Sequence, residues 1–368
     1  MNLESLYYRI ISPQRRMYHV PAYLGLRLLS GLYGWGLCLH RRAFRCGVFP
    51  ARKLDRRVIS VGNLTLGGTG KTPIVMMIAE TLRGNGFKPA ILSRGYGGRS
   101  RKAVNVVHDG QKILLSAEWA GDEPVMMAEK LRNVPVLTGS DRYRTGRYAI
   151  DRLGADTLIL DDGFQHLALS RDLDILLFDH RQPLGNGRLF PAGELREPPG
   201  ETQRADLICM TRCHGLSNGP AMDAGILGKI PVIRTALRLD SVIRLDNGEV
   251  LDTGILKGRA VAAFCGIARP EDFRRTLEGA KARVVYFFPF PDHHSYSSAD
   301  LKFVEDHAIK AGAEYILIPE KDAVKLMNPN FSLPAFKVVI EVEILEGREV
   351  FNRYLLKGGT QGTPNIHG

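Results

Sequence analysis

Residues 58–73, VISVGNLTLGGTGKTP, carry a β-branched run into a glycine-rich turn and then into a helix that opens on Lys71 and Thr72. Phosphate oxygens need backbone N–H groups aimed at them with no side chain in the way, a need that Gly67, Gly68 and Gly70 meet. Lys71 suits the terminal phosphates of a nucleotide and Thr72 suits Mg²⁺. Thr65, Leu66, Gly67, Gly68, Thr69, Gly70, Lys71 and Thr72 therefore form the expected nucleotide loop. The general pattern G-x-x-x-x-G-K-[ST] puts glycine where Thr65 stands, so the motif alone is an imperfect match. A plain connecting turn is the alternative at this stage.

The flanking sequence alternates short aliphatic runs with helix-periodic stretches, the pattern of βαβ units around a parallel sheet. Strands are expected at Val58 to Val61, Pro89 to Leu92, Val134 to Leu137, Thr157 to Leu160, Asp174 to Phe178 and Leu207 to Met210. Helices are expected at Thr72 to Arg83, Pro124 to Arg132 and Arg142 to Leu153. A second alternating set begins near Arg259, and the segments Val232 to Leu251 and Phe336 to Ile344 are expected to pair as a β connection. The chain is thus read as α/β, with a P-loop NTPase-type parallel sheet flanked by helices, a second, smaller α/β domain and an N-terminal membrane-surface helix. The expected partition is residues 1–40 as a basic, aromatic helical segment, 41–230 as the P-loop kinase domain, 231–256 as a β linker, 257–345 as the smaller α/β domain and 346–368 as a tail. With 368 residues and 44% hydrophobic composition, there is material for two cores.

A nucleotide site also needs a carboxylate at the end of a buried strand. ADTLILDDGFQH (155–166) ends its strand on Asp161 and Asp162, which point in different directions, so one of the two is the expected direct metal ligand. A solvated turn is the alternative. Asp122 and Glu123 of GDEP stand at a helix start and fit an N-cap. SRGYGG (93–98) fits either a turn that admits a ligand or a structural one, and the His293–His294 pair fits structural as well as catalytic use.

Charge is concentrated at one end. Residues 1–57 hold eleven Arg and Lys against Glu4 and Asp55, whereas the remainder is nearly neutral although the whole chain is +11. The same segment contains VPAYLGLRLLSGLYGWGLCL (20–39), apolar and aromatic with Arg27 inside it, which suits a helix lying on an anionic membrane surface. Packing of Leu24, Leu28, Leu29 and Leu32 onto the protein body, or a true span, are the alternatives. Basic residues gathered in an apolar, aromatic segment argue against a nucleic-acid partner, and no N-K-x-D motif supports a GTPase switch. Five scattered cysteines without C-x-x-C spacing suit a reducing cytoplasm, and no secretory signal is apparent.

SVGNLTLGGTGKTP, ILSRGYGG, GDEP, LDDGFQH, GNGRLFPAGELREP, CGIARPEDF and FPDHHSY occur together in the order of the tetraacyldisaccharide 4′-kinases, which this chain resembles from about Ser60 to Lys325. That family's loop admits a small hydroxyl residue at the Thr65 position. The resemblance implies transfer of the γ-phosphate of ATP to the 4′-hydroxyl of an acylated glucosamine disaccharide 1-phosphate, with Mg²⁺. It implies catalytic roles for Asp122, His293 and Lys71, with Asp122 as the base and His293 paired to it from another domain. Metal contacts are implied for Thr72, Asp162, Asp161 and Glu197, and substrate contacts for Arg142, Gln165 and His166. It also implies peripheral attachment to the cytoplasmic face of the bacterial inner membrane; a monomer is expected.

Overall fold

The computed structural model describes residues 3–12, 14–213, 224–326 and 329–357. Contacts divide the chain into two compact units that do not follow chain order. Residues 1–71, 156–236 and 344–368 make the first, and residues 72–155 and 237–343 the second. The sequential partition expected from the sequence is not the grouping that contacts give: the second α/β layer is packed with residues 72–155, which include Asp122.

In the first unit the strand Arg57–Asn63 lies between Thr157–Asp161 and Leu173–Asp179, and Leu207–Thr211 pairs with Leu173–Asp179, all parallel. The start of Val232–Arg244 continues the sheet in parallel with Leu207–Thr211. These strands are continuous aliphatic runs because a parallel sheet is covered on both faces, and Leu158, Ile159, Leu160, Leu176 and Leu177 are fully buried. Leu64, Phe164, Phe178, Leu195 and Ile208 form a core next to the glycine loop.

The second unit contains Pro89–Ser93 parallel to Val136–Thr138, with Asn105–His108 antiparallel at the next position. That last strand has only four residues, too few for a readable period. A further parallel set runs in the order Arg283–Pro289, Ala260–Cys265, Tyr315–Pro319, Ala335–Glu346. Alternation along Ala260–Cys265 sorts its faces. Val261, Ala263 and Cys265 pack with Phe273 and Leu277 of the helix Pro270–Gly279, whereas Ala262 and Phe264 pack with Val304 and Ala308 of the helix Ser298–Lys310. A capping box of Ser297 and Asp300 starts the latter helix. The segments expected to form a β connection do lie side by side, and the Leu245 N–H donates to the Ala335 carbonyl at 2.9 Å.

The N-terminal segment forms the helices Leu3–Ile11 and Val20–Arg45. One face of the longer helix is docked on the first unit: Ser30 Oγ donates to the Leu189 carbonyl, Tyr33 Oη donates to that of Arg196, both at 2.9 Å, and Arg41 pairs with Glu201 at 3.0 Å. A Cβ on Gly34 would stand 3.0 Å from Leu189, so glycine there permits the close approach. The opposite face leaves Leu24, Leu28, Leu32, Trp35 and Leu39 exposed at helical spacing. The packing reading and the exposed-surface reading therefore each describe one face. Among the described residues no helix is long and apolar enough to cross a membrane.

The expected tail at 346–368 is corrected in part. Arg348–Leu356 is a helix that buries Phe351 and Leu355, one turn apart, and Arg57 caps its end by donating to the carbonyls of Tyr354 (2.7 Å) and Leu355. The rest of the expected tail, beyond residue 357, lies outside the described residues.

Candidate active site

In the first unit the strand Arg57–Asn63 delivers its last side chain, fully buried Asn63, beneath the glycine loop. Asn63 Nδ2 donates to the Thr65 carbonyl at 2.7 Å, and Asn63 Oδ1 accepts from Lys71 Nζ at 2.9 Å. Gly67 and Gly70 hold φ of 94° and 83°, the left-handed region that side chains avoid. Thr65 is not in that region, and it forms an antiparallel bridge with Leu195, which explains why no glycine is needed there. The loop is tied from outside: Thr211 Oγ1 donates to the Thr69 carbonyl and Arg212 to that of Gly68, both at 2.8 Å.

Asp161 closes the strand Thr157–Asp161 and is buried. Asp162 follows with φ of 55°. Its carboxylate meets Lys71 at 3.4 Å and Arg196 at 2.8 Å. Burial would push the Asp162 carboxyl up, but Lys71 and Arg196 outweigh it and hold it down at about 2. The segment approaches closely because Gly62 has no side chain: a Cβ there would lie 2.5 Å from Phe164 Cβ and 2.8 Å from its backbone nitrogen. An ionised carboxylate with a second carboxylate beside it offers oxygen donors, the chemistry that Mg²⁺ takes.

Glu197, expected in the metal shell, is buried and engaged elsewhere. Its carboxylate accepts from Arg204 at 2.5 Å and from Gln165 Nε2 at 3.2 Å, and burial raises its pKa against the pull of Arg204. Gln165 Nε2 also donates to the Asn63 carbonyl at 3.0 Å, so Glu197 and Gln165 brace the loop strand. The His166 carbonyl accepts from Arg171 Nη1 at 3.0 Å. Arg196 and Arg204 are the charged partners of this cluster that sequence reading does not single out. Arg196 stands beside Glu197 in GELREP, but its partner Asp162 is 34 residues away and nothing local announces the pair.

The second unit assembles a separate cluster. Gly95, Gly98 and Gly121 let the SRGYGG loop lie against residues 119–121 and Thr138. A Cβ on Gly121 would meet the Tyr96 carbonyl at 2.5 Å, and one on Gly98 the Trp119 carbonyl at 2.6 Å. This contact is backbone against backbone, the structural use of those glycines. It sets the start of the helix Asp122–Lys130, where Asp122 is only 6% exposed. His293 Nδ1 lies 2.9 Å from Asp122 Oδ2, and the Tyr96 ring lies 5.5 Å from the imidazole. Asp122 and His293, assigned to different domains by chain order, are thus hydrogen-bonded within one unit. Burial would raise the Asp122 carboxyl, yet the His293 hydrogen bond and the charges of Lys321 and Lys325 bring it below its ordinary value. The Asp122 hydrogen bond in turn raises His293. Arg142 is buried, and its guanidinium donates to the Gly139 carbonyl.

Three of the five non-glycine residues with left-handed φ among the described residues are Asp162, Arg212 and His293. Such conformations cost about 1–3 kcal/mol each and gather at functional sites.

The family model described as tetraacyldisaccharide-1-P 4′-kinase matches residues 22–358. A tetraacyldisaccharide 4′-kinase of Syntrophus aciditrophicus is 45% identical over 344 residues, covering 90% of this chain and 92% of that one. One of Geobacter sulfurreducens is 43% identical over 322 residues, covering 87% and 89%. The crystal structure of LpxK from Aquifex aeolicus, described as an apo form in complex with ATP, superposes with a TM-score of 0.76 at 34% identity, covering 91% of this chain and 98% of that one.

The Asp162 cluster generates a titration test. Its carboxyl is expected to titrate near pH 2 and to move toward 3.8 in Arg196→Ala, as read by carboxyl carbon NMR. Because the folded value is the lower one, the associated stability is present above pH 3.8 and lost as pH falls toward 2. An unchanged midpoint in the variant would remove Arg196 from this role.

Proposed function

The chain belongs to the tetraacyldisaccharide 4′-kinase family, and from that premise we propose how its residues divide the reaction. It is an ATP-dependent kinase of lipid A biosynthesis that transfers the γ-phosphate of ATP to the 4′-hydroxyl of tetraacyldisaccharide 1-phosphate.

In our reading Asp122 is the base. The acceptor oxygen forms its bond to the γ-phosphorus while the bond from phosphorus to the β,γ-bridging oxygen breaks. ADP leaves with that electron pair, and the hydroxyl proton passes to the Asp122 carboxylate. The observation that carries this assignment is the 2.9 Å contact between Asp122 and His293, which fixes one orientation of a carboxylate already held ionised. Lys71, positioned by Asn63, neutralises charge on the β- and γ-phosphates, and the N–H groups of residues 65–72 cradle them. Thr72 and Asp162, with Asp161 beside them, would hold Mg²⁺, which when bound neutralises charge on the phosphate oxygens. Glu197 serves by bracing Gln165 and Arg204. Gln165, His166 and Arg142 are proposed for the acceptor side.

We further assign membrane contact to the outward face of Val20–Arg45, on the cytoplasmic side of the bacterial inner membrane. A four-chain lipid does not leave the bilayer readily, since each buried CH₂ is worth about 0.8 kcal/mol. The enzyme has to reach the substrate at the surface. Exposed Leu28 (76%) and Trp35 (68%) on a strongly basic segment suit an anionic interface.

Two measurements test these assignments. Incubation of the protein with Mg-ATP and tetraacyldisaccharide 1-phosphate in mixed micelles is expected to add one phosphate to the distal sugar by mass spectrometry. Lys71→Ala is expected to lower the rate about 10²-fold or more, and a near-normal rate would reject its role. Replacing Leu28 and Trp35 together by Glu is expected to abolish co-sedimentation with liposomes containing anionic lipid while leaving the melting temperature near wild type. Undiminished co-sedimentation would place the contact elsewhere.

A further inference from the structure

The short helix Glu320–Ala323 begins directly after the strand Tyr315–Pro319 and carries Lys321, Lys325 follows its end, and both ammonium groups approach Asp122. Each ammonium nitrogen lies 3.9 Å from Asp122 Oδ2, but their surroundings differ. Lys325 pairs at 2.5 Å with Asp322, a fully buried carboxylate that also accepts from the Gly266 N–H at 2.7 Å, and it lies over the Tyr296 ring. Its charge is met by Asp322, three residues earlier. Lys321 reaches outward to two other elements: Glu123 Oε1 at 3.2 Å, Asp292 Oδ1 at 3.3 Å and His293 Nε2 at 3.4 Å.

An ammonium group has three N–H donors and no acceptor. Lys321 therefore has one donor for each of those three neighbours, and the ring nitrogen that faces it must supply a lone pair. We infer that Lys321 is a positioning residue for the phosphoryl acceptor reaction, one that opposes protonation of His293 at Nε2 and so keeps the neutral ring's proton on Nδ1, donated to Asp122. The inference rests on the reading of Asp122 as the base. It explains the strained backbone of His293, whose φ is 59°. The N–H of His293 donates to the Gly266 carbonyl at 3.1 Å and to Asp292 Oδ1 at 3.0 Å, and Asp292 is itself on Lys321.

The charges around the imidazole oppose one another. Asp122 and Asp292 favour the imidazolium, and Lys321 disfavours it. Glu123 pairs with Lys321 at 3.2 Å, Lys325 pairs with Asp322, and His294 faces Asp300 at 3.3 Å. Without Lys321 the imidazole would be left with Asp122 at 2.9 Å from Nδ1 and Asp292 at 3.8 Å from Nε2, both of which favour the imidazolium. A cation on His293 would then face the acceptor hydroxyl's base with its proton affinity reduced, and Asp122 would lose one of its own stabilising charges.

The test reads His293 directly. Imidazole ¹⁵N NMR of the full-length protein in detergent micelles, assigned by loss of the signal in His293→Gln, is expected to show a neutral ring with Nδ1 protonated above its titration. In Lys321→Met the midpoint is expected to rise by about one unit or more, and in Lys321→Arg it is expected to stay near wild type. The acid limb of the pH profile of kcat/KM is expected to rise by the same amount in Lys321→Met, with the KM for ATP unchanged and rescue by Lys321→Arg. A wild-type ring protonated on Nε2 above its titration, which needs no variant to observe, overturns the proposal. So does an unmoved midpoint in Lys321→Met. A midpoint that moves while the acid limb stays fixed upholds the role of Lys321 toward His293 and rejects the Asp122–His293 pair as the base, so the two failures are distinct.

Discussion

A carboxylate taken out of water has to be met by donors and cations, because desolvation alone would protonate it. Asp122 is such a group, and much of the second unit is arranged around it. Two separate segments, the loop after Arg283–Pro289 that carries His293 and residues 320–325 that carry Lys321 and Lys325, bring side chains to one oxygen of the residue that opens its own helix. The outcome is a buried carboxyl held below its ordinary pKa, with its hydrogen-bond partner His293 contacted in turn by Lys321. Asp162 in the first unit follows the same rule in a wetter setting. Lys71 and Arg196 hold it ionised, and Asn63 supports Lys71 from below.

A second constraint is close backbone approach. Gly62 lets Phe164 and the Asp161–Asp162 corner lie against the loop strand, and Gly121 and Gly98 let the SRGYGG loop lie against the start of the Asp122 helix. Both acidic segments are placed by glycines outside the nucleotide-loop motif. The glycines of the nucleotide loop itself serve differently: Gly67 has open space where a Cβ would go, and its positive φ is what requires glycine.

These distinctions set what the sequence could reveal. The strand, glycine turn and Lys71–Thr72 order is local, so the nucleotide loop and its sheet were legible, as were the helix-periodic stretches that flank it. Asp122 was not legible by physics alone, since an acid at a helix start is the ordinary pattern of a cap, and only the resemblance singled it out. His293 is 171 positions away from Asp122, and Arg196 and Lys321 are paired over similarly non-local paths, which no spacing rule can read. The C-terminal helix Arg348–Leu356 escaped notice because only Phe351 and Leu355 are buried beside a polar tail. The Val20–Arg45 helix was ambiguous for a physical reason: it is apolar on two faces, one against Leu189 and the other toward solvent.

Proton removal by Asp122 and phosphate holding by Lys71 are assigned to different residues in different compact units, and this separation is the centre of the account. Its most direct measurement is a pair of values on Asp122→Asn: the dissociation constant for Mg-ATP and the single-turnover rate of phosphoryl transfer to the lipid. The expected result is unchanged nucleotide affinity with a transfer rate lowered about 10²-fold or more. Transfer at a near-normal rate, or a loss of affinity that accounts for the whole loss of rate, would contradict it.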